Sequence, residues 1–236
     1  MRFPDEDSLE DMSNEFARQH NSKGLHCFGA IDGKHFKGQF THSDYLNYKH
    51  FTSINCLAIA NHNLLFLWAA MGWAGRHNDK YCFKSSWLAN SGIGEWLAQR
   101  GFFSLGDLGF CIREFLIIPY TDLQADTREK RAFNYVLRSL RACIERAWGV
   151  LVGRFRVFQG GIASGDAEFV QASIKAGMAL HNLCVLDRDD LVQEEDICYI
   201  PDVPGLLPPP PEDTGAREKG QAKREQIFQA WLASMY

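Results

Sequence analysis

The chain has 236 residues, 46% hydrophobic and 13% aromatic, with a formal net charge of −4. That suits one substantial core with appendages better than two full domains, and the acidic balance taken alone argues against a nucleic-acid partner. The first twenty residues are polar and acidic, unlike a secretory signal, and the longest apolar stretch, Ile54 to Trp68, is broken by Asn61-His62-Asn63, so no membrane span is expected. The seven cysteines are scattered, odd in number and form no C-x-x-C pair, which points to reduced, mostly buried thiols in an intracellular protein.

In chain order, Asp5-Glu6-Asp7-Ser8 supply an acidic, capping start for a helix from Leu9 to Gln19, with Met12 and Phe16 at helical spacing. A first strand is expected from His26 to Ile31, ending at Asp32-Gly33. Two more are expected at Thr52–Ala60 and Leu64–Met71, whose near-continuous apolar character suggests cover on both faces. A helix follows over Asp79–Asn90, then a short strand at Phe102–Gly106 that delivers Asp107, then a fifth at Phe115–Ile118, stopped by Pro119. A long helix over Thr127–Val152 carries Phe133, Val136, Leu137, Leu140, Ile144 and Leu151 as an apolar stripe, and another covers Ala167–Leu186. Beyond it come an acidic run, a proline-rich linker at Pro201–Pro211 and a terminal helix from Ala216 to Met235. The expected organisation is a helical lead-in at 1–22, one domain at 23–188 and an acidic, proline-rich tail with a terminal helix at 189–236. The order of elements is that of an α/β ribonuclease-H-like fold: a mixed five-stranded sheet with helices on both faces, strands one and four side by side.

Charge is unevenly placed. Arg128 to Arg156 holds eight basic residues against two acidic, a local net of +6, while Asp187 to Asp213 holds nine acidic residues against one basic, a net of −8. The basic segment could follow a phosphate backbone and the acidic one would be repelled by it; the alternative is two solvated faces.

Asp32 and Asp107 stand at the ends of hydrophobic strands, where a charge is costly unless solvated, paired or metal-bound. Either alone reads as a turn residue before a glycine-containing loop. With Glu145 on the long helix they form a possible carboxylate triad, against the alternative that Glu145 makes an i,i+4 ion pair with Arg141, in the weaker order for a helix. Three carboxylates suit two hard divalent cations about 3.5–4 Å apart, which polarise the attacking water and the leaving oxygen of a phosphodiester. In that scheme Asp32 bridges both ions, Asp107 binds one and Glu145 the other. Mg²⁺ is the expected metal and Mn²⁺ a substitute, since no soft ligand is offered.

Four blocks in order resemble those of PIF/Harbinger transposases, whose catalytic domain is a DDE superfamily endonuclease. They are Phe28-Gly29-Ala30-Ile31-Asp32-Gly33-Lys34-His35, Leu105-Gly106-Asp107-Leu108-Gly109-Phe110, Arg141 to Gly149 followed by Arg154-Phe155, and Leu180-His181-Asn182-Leu183-Cys184. Gly75-Arg76-His77-Asn78-Asp79 with Phe83 resembles a fifth. The similarity covers roughly residues 24 to 186.

It implies a cut-and-paste DNA nuclease and strand-transfer domain with Asp32, Asp107 and Glu145 as catalytic and metal-binding residues. Asp79 is a reserve ligand, read otherwise as a helix N-cap. Arg138, Arg141, Arg154, Arg156, Lys34 and His35 are candidate contacts to double-stranded DNA, and His181 reads as a satisfied buried histidine. The family also implies a nuclear protein, a Myb-like DNA-binding partner and a possible homo-oligomer. Family transposases carry a helix-turn-helix region ahead of this core, and the chain before Asp32 is too short to hold one. That departure admits another reading: a truncated or domesticated derivative that binds DNA or protein without cleaving.

Overall fold

The computed structural model describes residues 3–19, 25–188 and 213–235. Its sheet is built outward from β1 (Cys27–Lys37). On one side β1 pairs antiparallel with β2 (Ser53–Ala60), Ala30 opposite Ala60 and Lys37 opposite Ser53, and β2 pairs antiparallel with β3 (Phe66–Ala74). On the other side β1 runs parallel to β4 (Phe103–Leu105), Ala30 level with Leu105, and β4 runs parallel to β5 (Leu116–Ile117). The order is β3-β2-β1-β4-β5, so the expected neighbourhood of the first and fourth strands is realised in a five-stranded mixed sheet. β2 is buried along its whole length and β1 from Cys27 through Ile31. Both read as near-continuous apolar runs, interrupted in β2 only by Ser53 and Asn55, because a strand covered on two faces has no solvent face towards which to alternate.

Helices cover both faces. Ala30, Phe36, Cys56, Ala58 and Phe66 pack with residues of α5 (Arg128–Arg154), α7 (Ala167–Leu186) and α8 (Thr214–Ala233) in one apolar cluster. Phe28, Ile31, Leu57 and Ile59 pack on the other with α2 (Asp79–Lys84), α3 (Trp87–Asn90) and α4 (Ile93–Gln99). The helix α1 (Glu6–Gln19) gives Leu9 to the second cluster and Phe16 to the first. Between α5 and α7 lies a single turn of helix, α6 (Val157–Gly160), whose Phe158 ring meets Phe36 at 5.2 Å.

Several expected boundaries shift: α1 begins at Glu6 rather than Leu9, and β3 runs Phe66–Ala74 rather than Leu64–Met71. β1 does not stop at Asp32-Gly33 but runs to Lys37, because Gly33 through Lys37 go on pairing with Leu57 through Ser53. The helix expected over Asp79–Asn90 breaks at Ser85-Ser86: the Ser86 hydroxyl donates to the Phe83 carbonyl (2.7 Å) and accepts from Ala89 N–H (3.4 Å), ending α2 and capping α3. The further helix α4 had no expected counterpart.

α8 is a wall of the core. Phe228 and Trp231 each place a ring 5.4 Å from Phe133 of α5. Arg224 lies 4.0 Å over the Tyr120 ring and donates to the Pro119 carbonyl (2.9 Å), and the Tyr120 hydroxyl donates to Glu225 (2.8 Å). The acidic and proline-rich run that leads to it, with Cys198, falls outside the described residues. The six described cysteines are free thiols, five of them buried, and desolvation pushes the pKa of Cys143 up to about 12 and those of Cys27, Cys56 and Cys82 higher.

Among the described residues α7 alone has the length and apolar composition to cross a membrane. Here it is held to the sheet through Val170, Ile174, Met178 and His181, all fully buried. Leu180, Leu183 and Leu186 on its other side are exposed.

Because Phe228 fills space between α5 and β5 rather than decorating a tail, Phe228→Ala is expected to lower unfolding free energy by about 3–5 kcal/mol. Urea titration followed by circular dichroism reads this directly, and an unchanged midpoint would show that α8 is dispensable to the core.

Candidate active site

Alternation along β1 puts Asp32 and Lys34 on the face of Ala30 and Phe36, under α5, and Gly33 and His35 on the opposite face. α5 begins at Thr127, whose hydroxyl accepts from Lys130 N–H (3.2 Å), and it buries Phe133, Leu137, Leu140, Ile144, Ala147 and Leu151 against the sheet. Arg141 and Glu145 ride the edge of that stripe. The guanidinium of Arg141 stands between two carboxylates, Nη2 2.5 Å from Glu145 Oε1 and Nη1 3.9 Å from Asp32 Oδ1. The three side chains are 14–21% exposed. A basic residue four positions before an acidic one is the weaker helical order. Asp32, arriving from the sheet, adds a second anion within reach of the same cation.

Asp107 lies two residues past the end of β4, after Gly106. The parallel pairing of β4 with β1 ends at Ala30 and Leu105, so Asp107 and Asp32 each lie two residues past the same end of that pairing. Its Oδ1 accepts from Gly109 N–H (2.8 Å), closing a tight turn. The turn is anchored by Phe110, buried with its ring 6.0 Å from Phe83. Gly106 and Gly109 fit for lack of a side chain: a Cβ on Gly106 would lie 3.2 Å from Phe110 and Leu116, and one on Gly109 2.9 Å from Asp107 Oδ1.

The other nominated residues are dispersed. Asp79 lies on the far face of the sheet from Asp32 and Glu145: its Oδ1 accepts from Asn55 Nδ2 (2.9 Å) and its carboxylate presses on Gly33, where a Cβ would come within 2.0 Å. It is not the N-cap of α2 either; that role belongs to Asn78, whose Oδ1 accepts from Tyr81 N–H (2.8 Å). His35, also on the far face, meets the Ser53 hydroxyl at 3.0 Å and the Tyr48 ring edge-on. Arg138 and Arg156 are exposed, Arg138 one turn before Arg141 on α5. Arg154 is only partly exposed, with Nε and Nη1 shielded from solvent, and it faces His181 closely enough to disfavour that ring's protonation.

The Leu180–Cys184 block is a clamp. Asn182 accepts from Phe66 N–H (2.9 Å) and donates to the Phe66 carbonyl (2.8 Å), as a neighbouring strand would. Buried His181 meets the carbonyl of Leu64 through Nε2 (2.8 Å), and Leu64 sits at φ 64°, a left-handed conformation costly for leucine. Facing a carbonyl, Nε2 carries the proton. Desolvation, and secondarily Arg154, hold the His181 pKa below its usual value.

The sequence model of the family described as DDE superfamily endonuclease matches residues 31–182, well over half of the chain, and takes in Asp32, Asp107, Glu145 and the His181-Asn182 clamp. The chain belongs to the DDE superfamily endonuclease family. This family domain is 24% identical over the whole chain to the curated protein named "Putative nuclease HARBI1" of Homo sapiens, covering 66% of that protein. It is 26% identical over 90% of the chain to the protein of the same name in Mus musculus, covering 59% of it. The chain thus spans less than two thirds of the length of these relatives. No solved structure matches.

Carboxylates are the donors a hard divalent cation takes, and Asp32 and Glu145 already share one positive group, so the donor chemistry fits. A complete ligand set is not assembled: among the described residues no three His, Cys, Asp or Glu side chains form a group able to hold a metal ion. Sequence reasoning overlooked Asn55, for which a lone amide inside the apolar run Ile54–Ala60 was the available signal.

Two outcomes are expected. Gly33→Ala should destabilise the fold by about 1–3 kcal/mol by driving its methyl into Asp79, and adding Asp79→Ala should return part of that loss in a double-mutant cycle. Below about pH 6.5 the unfolded chain takes up a proton at residue 181 that the folded chain resists, so stability falls as pH drops through that value. Unfolding free energies at about pH 7.5 and 5.5 should show the decline, and His181→Gln, whose amide donates without titrating, should shrink it.

Proposed function

We propose that this domain cuts double-stranded DNA as the nuclease and strand-transfer core of a cut-and-paste transposase of the PIF/Harbinger kind, on a ribonuclease-H-like fold. The observation that carries the reading is the meeting of Asp32, from the central strand, with Glu145, from α5, across a single cation, with Asp107 in the turn that follows the adjoining parallel strand. Asp32, Asp107 and Glu145 would hold Mg²⁺, or Mn²⁺ in its place, and the bound ions would polarise the attacking water and stabilise the leaving oxygen.

The chain's own residues set the rest. β1 holds Asp32 in place, because Asp32 pairs with Ala58 of β2 on one side and the strand is braced by β4 up to Ala30 on the other. The Asp107 turn supplies a carboxylate from a segment anchored by Phe110. Arg138 and Arg156, exposed on and just beyond the basic helix, offer charge to a phosphate backbone, while Arg154 is too enclosed for that role. The same reading carries a nuclear site of action and a Myb-like partner that selects the DNA ends.

A second reading, a DNA- or protein-binding module without cleavage, is favoured by one observation: the three carboxylates are not drawn together into a ligand set. Nicking of supercoiled plasmid in low salt with Mg²⁺ or Mn²⁺ separates the two. Nicking that falls by about a hundredfold or more in Asp32→Asn and Asp107→Asn is expected; equal nicking by parent and variants, or none by any of them with the fold intact, would leave the binding module.

A further inference from the structure

Arg141 is the feature the proposed reaction leaves unused. Its two terminal nitrogens are divided, one to Glu145 and one to Asp32, and the side chain is only 16% exposed. Two carboxylates brought this close out of bulk water repel each other, and a guanidinium fork is the side-chain group best shaped to offset both. Residues 138 and 139, the preceding turn of α5, are exposed, so a rotation about the long arginine stem carries the charged head into water without moving the helix.

We propose that Arg141 is a resident counter-cation, a latch that closes the Asp32–Glu145 pair while no divalent ion is bound and that must swing out for one to enter. The inference rests on the nuclease reading above, since it supposes that these carboxylates are metal ligands. It assigns the residue a positioning role: Arg141 keeps the acidic pair together and sets how readily a divalent ion replaces it. Affinity for the ion is weakened by the work of expelling the guanidinium, and the metal-free fold is stabilised by its presence.

The test is Mn²⁺ binding by calorimetry to the full chain, beside thermal melts with and without Mn²⁺. Arg141→Met keeps length and removes charge; it should bind Mn²⁺ at least about tenfold more tightly than the parent, because one repelling charge has left the site. Without metal it should melt below the parent, and Mn²⁺ should raise its midpoint by more. Arg141→Lys keeps the charge but not the fork, should fall between the two, and guards against a Met variant that does not fold. Parent binding that depends on Asp32 together with Met or Lys variants that bind no more tightly overturns the latch and leaves the nuclease reading standing. No Asp32-dependent Mn²⁺ binding by parent or variants overturns both.

Discussion

A carboxylate in the middle of the central strand of a doubly covered sheet is the constraint around which this molecule is arranged. Desolvating a charge there is expensive unless a counter-charge accompanies it, and Asp32 is answered from the helix layer by Arg141. The next residue along β1 turns to the other face and meets a second acid, Asp79, held by Asn55. Successive positions of one strand therefore support an acidic group on each side of the sheet. A glycine at position 33 is what lets the second group lie flat against the backbone.

The long helix α5 joins the two demands. Its inner stripe, from Phe133 to Leu151, gives the sheet and α8 their apolar contact, with Trp148 ringed by Phe36 and Phe66. Its edge carries Arg141 and Glu145 to Asp32. Moving α5 by a fraction of a turn would cost core packing and ion pairing together, so the position of Glu145 inherits the rigidity of the hydrophobic seam. The Asp107 turn is fixed differently, by a buried aromatic and a hydrogen bond inside the turn. The site thus draws on three anchors in separate parts of the chain.

Much of this was legible in the sequence where a signal was local. Apolar runs marked β2 and β3, the 3.6-residue stripe marked α5, and the length of Ala167–Leu186 marked α7 to the residue. The end of β1 was misread because Asp-Gly is a turn signal in isolation, whereas pairing with β2 carries the strand four residues past it. The break at Ser85-Ser86 was missed because serine caps compete with a helix through hydrogen bonds that periodicity does not register. The docking of α8 was illegible for a different reason: Phe228, Trp231 and Arg224 meet Phe133 and Tyr120 across about a hundred residues of chain, and nothing local encodes that partnership. Arg141 was visible as a charge, but its task depended on where a distant strand would place Asp32.

The Asn182 clamp has a consequence for how the sheet meets other chains. β3 is an outer strand, and an outer strand offers unpaired N–H and C=O groups on which a foreign strand can build. At Phe66 both groups are already taken by one amide side chain from α7, so the side chain does there what a sixth strand would do while ending the ladder. The opposite margin is guarded by brevity: β5 has two residues and lies beside α8. At the start of β3 the blocking group is thus a polar side chain of a helix rather than a charge on the strand itself, whereas at β5 the strand is too short to extend far.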